Sequence, residues 1–307
     1  MRRLVFSLAV VLGLYGAALA ATGQKTFESI DDAVNALIGA FRAGDRKALV
    51  GILGPKGRPL VESGDNVADR QAFERFVADY DRAHRVEGGG GKVVLYTGED
   101  DFPFPIPLVP DGPSWIWDTD AGDDEILFRR VGRNELAAIK VCLAYVDAQR
   151  EYYARDHTGA GVLEFAQRLV STKGKQDGLF WETQPGERQS PLGPLVGRAR
   201  AEGYRRPTSG EPAAYHGYFY RPLFAQGAGA PGGAYDFVVK GHMIGGFALV
   251  AFPAKYGVSG IMTFIVSHDG VVYQKDLGPK TTQIAEALKT YNPDRTWKQA
   301  ELDASKR

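Results

Sequence analysis

The stretch from Asn134 to about Ala154 limits what this chain can become more than any other. Leu136, Ile139, Leu143, Val146 and Tyr153 recur at helical spacing, and Val141, Cys142, Tyr145, Ala148 and Tyr152 widen the stripe. A helix apolar over so much of its circumference must be covered by other elements. The spacing predicts one long helix capped by Asn134. The cover is expected downstream, where the chain reads as sheet. Phe247 to Phe252 and Ile261 to Ser267 are the strongest strands, with Tyr218 to Leu223 and Ala234 to Val239 beside them. Val271 to Lys275 follows His268-Asp269-Gly270, and Asp-Gly between β-branched runs signals a hairpin. A last amphipathic helix carries Ile284, Ala287 and Leu288. Between the long helix and this sheet, helices are expected over Val162 to Val170 and near Leu195 to Glu202, among loops rich in Gly and Pro. The polar tail after Trp297 is expected to fray.

The preceding part is a smaller unit of the same class. Ser29 caps a helix with Asp31 and Asp32 in its first turn and Ala33, Val34, Leu37, Ile38 and Phe41 at helical spacing, ended by Gly44-Asp45. Ser63-Gly64-Asp65 reads as a turn leading into a second helix from Asp69 to about Arg82. Gly88 to Gly91 reads as a loop. Strands follow over Lys92 to Thr97, Ser114 to Asp118 and Glu125 to Val131, with Asp120, Gly122 and Asp123 supplying the last turn. Phe102, Phe104, Ile106 and Leu108 alternate with Pro103, Pro105, Pro107 and Val109. Proline at every second position forces an extended backbone and puts the four apolar side chains on one face. Such a strip either lies on the core or offers itself to a partner. The class is α+β: N-terminal helices plus a small antiparallel sheet over 26–131, then a long helix packed on an antiparallel β-meander over 132–297, with 298–307 as tail.

The first residues read as an export signal, residues 1–20. Arg2 and Arg3 make a positive start, Leu4 to Gly16 an apolar run of secretory length, and Ala18-Leu19-Ala20 a small-residue cleavage site. The apolar run is short for a membrane span, so no stable membrane insertion is expected after cleavage behind Ala20. The single cysteine, Cys142, allows neither an internal disulfide nor lipidation at that site, and its place in the helix stripe makes it a core residue. With 37 basic and 37 acidic residues and no charge run, the chain carries no electrostatic footprint for nucleic acid.

Chemistry is sparsely signalled. His84, His157, His216, His242 and His268 form no metal-ligand pair by spacing, and no CxxC exists, so no metal and no cofactor are expected. There is no GxSxG elbow; Ser63 and Ser190 are the serines in distinctive settings. Asp118, Asp120, Asp123, Asp124 and Glu125 lack calcium-loop spacing and read as a solvated turn. Arg129, Arg130 and Arg133 sit at the expected boundary. On a strand, Arg129 and Arg130 point to opposite faces, and the inward one needs a carboxylate such as Asp118 or Glu135. The three form a salt-bridge network or an anion seat. Trp181, Tyr215, His216 and Tyr218 are the aromatic candidates for stacking on sugar rings, with core packing as the alternative use.

Several motifs together carry a resemblance. Leu53-Gly54-Pro55, Ser63-Gly64-Asp65, Pro103-Phe104-Pro105-Ile106-Pro107-Leu108, Arg129 to Leu136, Ala148-Gln149 with Tyr152, Asp177-Gly178-Leu179-Phe180-Trp181, Ser190 to Pro194, Tyr215-His216-Gly217-Tyr218, Gly245 to Ala251 and Asp269 to Tyr273 resemble an exported bacterial family, domain of unknown function 2950. Phe102 stands where that family leads one to expect Trp before the first proline. The resemblance implies an envelope location and brings no activity or catalytic residues. At the level of fold, the long helix before Gly217-Tyr218, Ala251-Phe252-Pro253 and Asp269-Gly270-Val271 looks like the globular head of type IV pilin-like proteins, without their assembly helix. The first unit is faintly similar to the cone of nuclear transport factor 2. The expected function is that of an exported, soluble periplasmic protein, a non-enzymatic binding or assembly factor with an envelope protein or glycan as partner. The alternatives are a glycan or small-molecule binder and a hydrolase of envelope polymers.

Overall fold

The Ser29 hydroxyl accepts a hydrogen bond from the Asp32 backbone N–H at 3.1 Å and starts α1 (Ile30–Ala43) in the computed structural model. The structure describes residues 23–205 and 212–301. The expected export signal, with its cleavage site after Ala20, lies outside the described residues, as do residues 302–307 of the expected tail. Gly44 ends α1 at φ +63°, returning its N–H to the Ala40 and Phe41 carbonyls. Asp45 then caps α2 (Arg46–Leu53) through the Ala48 N–H. After the single turn of α3 (Arg58–Val61), Asp65 caps α4 (Asn66–Arg82) through the N–H groups of Val67 and Ala68.

β1 (His84–Gly89) and β2 (Lys92–Thr97) form a hairpin whose turn is Gly90-Gly91, both at positive φ. The expected loop thus shrinks to two residues. β3 (Phe102–Pro103), β4 (Leu108–Asp111) and β5 (Ser114–Trp117) complete an antiparallel sheet of order β1-β2-β4-β5, with β3 also paired to β2. The proline-alternating strip lies on the core: Phe104, Ile106 and Leu108 are buried, while Phe102 stays 49% exposed. Leu37, Leu49, Leu53, Phe73 and Trp117 fill the space between helices and sheet.

α5 (Asp123–Tyr153) corrects the expectation around residue 131. It runs unbroken for 31 residues, so Glu125 to Val131 is helix rather than strand, and Asn134 lies inside it rather than capping it. Asp123, Asp124 and Glu125 in the first turn favour the positive end of the helix dipole. Ile126 and Leu127 pack on the first core, and Ala138, Ile139, Cys142 and Tyr145 lie in the second. The two cores are joined along one rod.

The expected helix over Val162 to Val170 is irregular chain. Its partners are tertiary: the Gln149 amide donates to Ala166 O and accepts from Ala166 N, both at 2.8 Å, and Val170 bridges to Phe180. α6 (Gly193–Ala201) follows. β6 (Tyr218–Leu223) comes next, then β7 (Ala225–Gln226), β8 (Tyr235–Asp236), β9 (Val238–Val239) and β10 (His242–Met243). The expected strand Ala234 to Val239 is therefore split, one piece pairing with β7 and the other with β10. β11 (Ala248–Pro253), β12 (Met262–Ser267) and β13 (Val272–Asp276) form the predicted meander, followed by α7 (Thr281–Ala287) and β14 (Lys298–Gln299). β14 pairs with β13, so the first tail residues are held in the sheet. The order β14-β13-β12-β11-β6 is antiparallel throughout. Every residue of β11 is buried, which requires cover on both faces and explains its unbroken apolar run. The fold is α+β.

Candidate functional site

The arginines expected at the boundary diverge. Being on a helix, Arg129 and Arg130 lie about 100° apart rather than on opposite faces. Arg129 pairs with Glu125 one turn earlier and sits 4.6 Å from the centre of the Phe102 ring. Arg130 turns inward and donates to the carbonyls of Pro59, at 2.7 Å, and Leu60. Burial lowers its pKa, opposed by the nearby Asp69 carboxylate. The Arg133 pKa is lowered as well, first by burial and then by Arg75 and Arg129. Glu135, an expected partner for an arginine, instead accepts from the N–H groups of Ile261 and Met262 at the start of β12, at 3.0 and 2.9 Å. Asn134 donates to Ser259 O at 2.8 Å.

A second polar cluster ties the two cores. Asp65 is 3% exposed, and its Oδ2 accepts from the Tyr204 hydroxyl at 2.8 Å and the Gly217 N–H at 2.9 Å, while Oδ1 caps α4. His216 holds φ +50°, and its Nε2 lies 3.2 Å from the Glu202 carboxylate. A side chain on Gly217 would meet Asn134 Nδ2 at 2.5 Å, so only glycine lets this turn approach α5. Tyr215 stacks edge-on against Tyr204, and Tyr218 is wholly buried with its hydroxyl donating to Met262 O at 2.9 Å. Tyr215, His216 and Tyr218 thus serve this clamp and the core beneath it. Ser63 is buried in the same turn and accepts from Asp65 N at 3.2 Å.

Trp181 belongs to a different place, a cleft of about 250 Å³ at the C-terminal end of α5. Glu151, Arg155, His157, Gln176 and Arg188 line it with Trp181. The His157 ring stacks on Tyr152 at 4.3 Å between centroids and tilts against Trp181 at 5.3 Å. Its Nδ1 lies 3.2 Å from Gln176 Oε1, and its buried Nε2 has no hydrogen-bond partner among the described residues. A depression along α7 is larger, about 570 Å³, but it is open and framed by one stretch of chain alone, Gln283, Ile284, Ala287, Leu288 and Lys289, rather than by groups converging from several elements.

The family model described as Protein of unknown function (DUF2950) matches residues 24–300. The chain belongs to this family. No curated protein and no solved structure matches it. In this DUF2950 chain, the family-resembling blocks Ser63-Gly64-Asp65 and Tyr215-His216-Gly217-Tyr218 meet at one carboxylate oxygen of Asp65. The block ending in Trp181 supplies a wall of the cleft. His157, Arg155 and Arg188 were not legible as site residues in the DUF2950 sequence. The only signal pointing to them is Trp181, an aromatic in a Gly- and Pro-rich stretch that has no strand to pair with. His242 pairs with the buried Glu164 at 3.1 Å, and among the described residues no three His, Cys, Asp or Glu side chains gather to hold a metal ion.

Proposed function

We propose that this DUF2950 protein is an exported binding protein of the cell envelope that holds a small polar ligand in the cleft at the end of α5. The carrying observation is the cleft itself, where the Trp181 and His157 rings stand beside guanidinium, carboxylate and amide groups. Such a mixture suits a ligand with an apolar face and a polar rim. Binding is favoured over catalysis because part of the lining is held in place, Arg188 by Glu151 and His157 Nδ1 by Gln176, which leaves a fixed frame around the remaining polar groups. The positive start, the apolar run and the small-residue site Ala18-Leu19-Ala20 support export. The long helix against an antiparallel meander supports a pilin-head-like arrangement of the second unit. The test is calorimetric titration of the protein with saccharide, peptide and cell-wall fragments. Binding that is lost in Trp181→Ala is the expected result; no heat from any fragment overturns the reading. Cell fractionation tests export, with the mature protein expected in the periplasmic fraction.

Docking of an envelope protein is a second reading, favoured by Phe128. It stands 80% exposed on α5, with the exposed Leu136 about two turns further on and about 80° round the helix. A photo-cross-linking residue at position 128 that captures no specific partner in cells sinks it.

A further inference from the structure

Four charged side chains line the cleft: Glu151, Arg155, Glu187 and Arg188. Two of them neutralise each other, with Arg188 Nη2 donating to Glu151 Oε1 at 2.9 Å. The other two remain. Among the described residues, Arg155 has no carboxylate within 4.0 Å, and Glu187 has no cation within that distance. Glu187 Oε2 accepts only the Gln184 backbone N–H, at 2.8 Å. The cleft therefore presents one free charge of each sign.

That balance discriminates among ligands. A simple anion gains at Arg155 and is repelled by Glu187; a simple cation meets the reverse. A neutral ligand desolvates both groups and pairs neither. A molecule carrying one positive and one negative group satisfies both. At about 250 Å³ the cleft lies below the roughly 300–1,000 Å³ of drug-sized sites, so both charges belong to one small molecule. Gln176 and Gln189 add amide donors and acceptors, and Trp181 offers ring surface for an aliphatic part. We propose that the ligand is a zwitterionic amino acid or short peptide, its carboxylate at Arg155 and its ammonium at Glu187. The inference rests on the cleft being the binding site.

The experiment is calorimetric titration of the full chain with the free amino acids, alanyl-alanine, its N-acetylated and C-amidated forms, and a panel of neutral disaccharides. At least one zwitterion is expected to bind, and blocking either end is expected to weaken it about 10- to 100-fold. Arg155→Gln should abolish the penalty for amidation and leave that for acetylation; Glu187→Gln should do the converse. Both side chains are exposed, so neither variant threatens folding. Equal affinity for free and blocked peptides overturns the proposal. Binding of a neutral sugar alone, lost in Trp181→Ala, overturns it while leaving the cleft as a site. Silence from every probe overturns both.

Discussion

The Tyr204 hydroxyl donates to the Asp65 carboxylate at 2.8 Å across 139 positions of sequence, and both groups are buried. Asp65 thereby gathers the start of α4, the segment after α6 and the turn before β6 at one side chain. Tyr204→Phe removes one donor to a buried charge and should cost about 1–3 kcal/mol. Asp65→Ala strips the helix cap and leaves the Gly217 N–H and the Tyr204 O–H without an acceptor, for a loss of at least about 3 kcal/mol. Urea unfolding midpoints, read with unchanged slope, check both.

Alkaline pH should loosen the fold. Burial pushes Tyr145, Tyr152, Tyr204, Tyr218 and Tyr291 above their ordinary range and Tyr215 up to about 12. The folded state therefore keeps the neutral phenol where the unfolded chain, with tyrosine near about 10, already ionises. The stabilisation is intact below about pH 10 and is lost as pH climbs through about 12. Unfolding midpoints measured from pH 7 to 12 should hold level and then fall.

Cys142 should be silent to thiol reagents in the native state. It has no exposed surface, and burial raises its thiol to about 12. A coloured disulfide reagent should report no reactive thiol per chain in buffer and one in denaturant, since the chain has a single cysteine. Modification of the folded protein at pH 7 within seconds would contradict the buried placement.

The two neighbouring arginines of α5 should differ sharply. Arg130→Met leaves the Pro59 and Leu60 carbonyls without their donor and removes a positive charge near the buried Asp69, at a cost of about 2–4 kcal/mol. Arg129→Ala loses an exposed pair with Glu125 and a ring contact, within about 1 kcal/mol. Thermal unfolding of the two variants side by side decides it.

Gly122, just before α5, and Gly132, inside it, make a contrasting pair. A Cβ at Gly122 would lie 2.2 Å from Pro105 O, a backbone atom of the buried proline strip, so Gly122→Ala should destabilise by about 1–3 kcal/mol or more. Gly132 faces open space inside the helix, and Gly132→Ala should stabilise by about 0.5–1 kcal/mol. Chemical denaturation should move the two midpoints in opposite directions.

Much of the fold was legible in local chemistry. The Ser29 cap, the Gly44 stop, the Asp-Gly hairpin and the alternating prolines each act within a few residues, and the structure keeps them. What escaped was decided at long range. Ile126-Leu127-Phe128 is a short apolar run that fits strand or helix equally, and only the core against which Ile126 and Leu127 lie settles it. Val162 to Val170 has helical spacing, yet Gln149 and His242 take its polar groups from outside. The candidate site was visible through Trp181 alone. His157 acquires its place from where α5 happens to end, and nothing in its neighbours encodes that. Tyr215, His216 and Tyr218 had the composition of a binding surface but flank the clamp around Asp65, whose donors are the Tyr204 hydroxyl and the Gly217 N–H between them.

The continuity of α5 has a consequence for how the gene for such a chain can drift in length. Arg130 reads α3 on one side, and Asn134 and Glu135 read the approach to β12 on the other, all within six consecutive residues. One codon added between them would turn the far half of the molecule by about 100° and shift it by about 1.5 Å against the near half. Exposed loop tips such as Gly90-Gly91 tolerate a change of length far better; this short span acts as a ruler whose gradations are fixed.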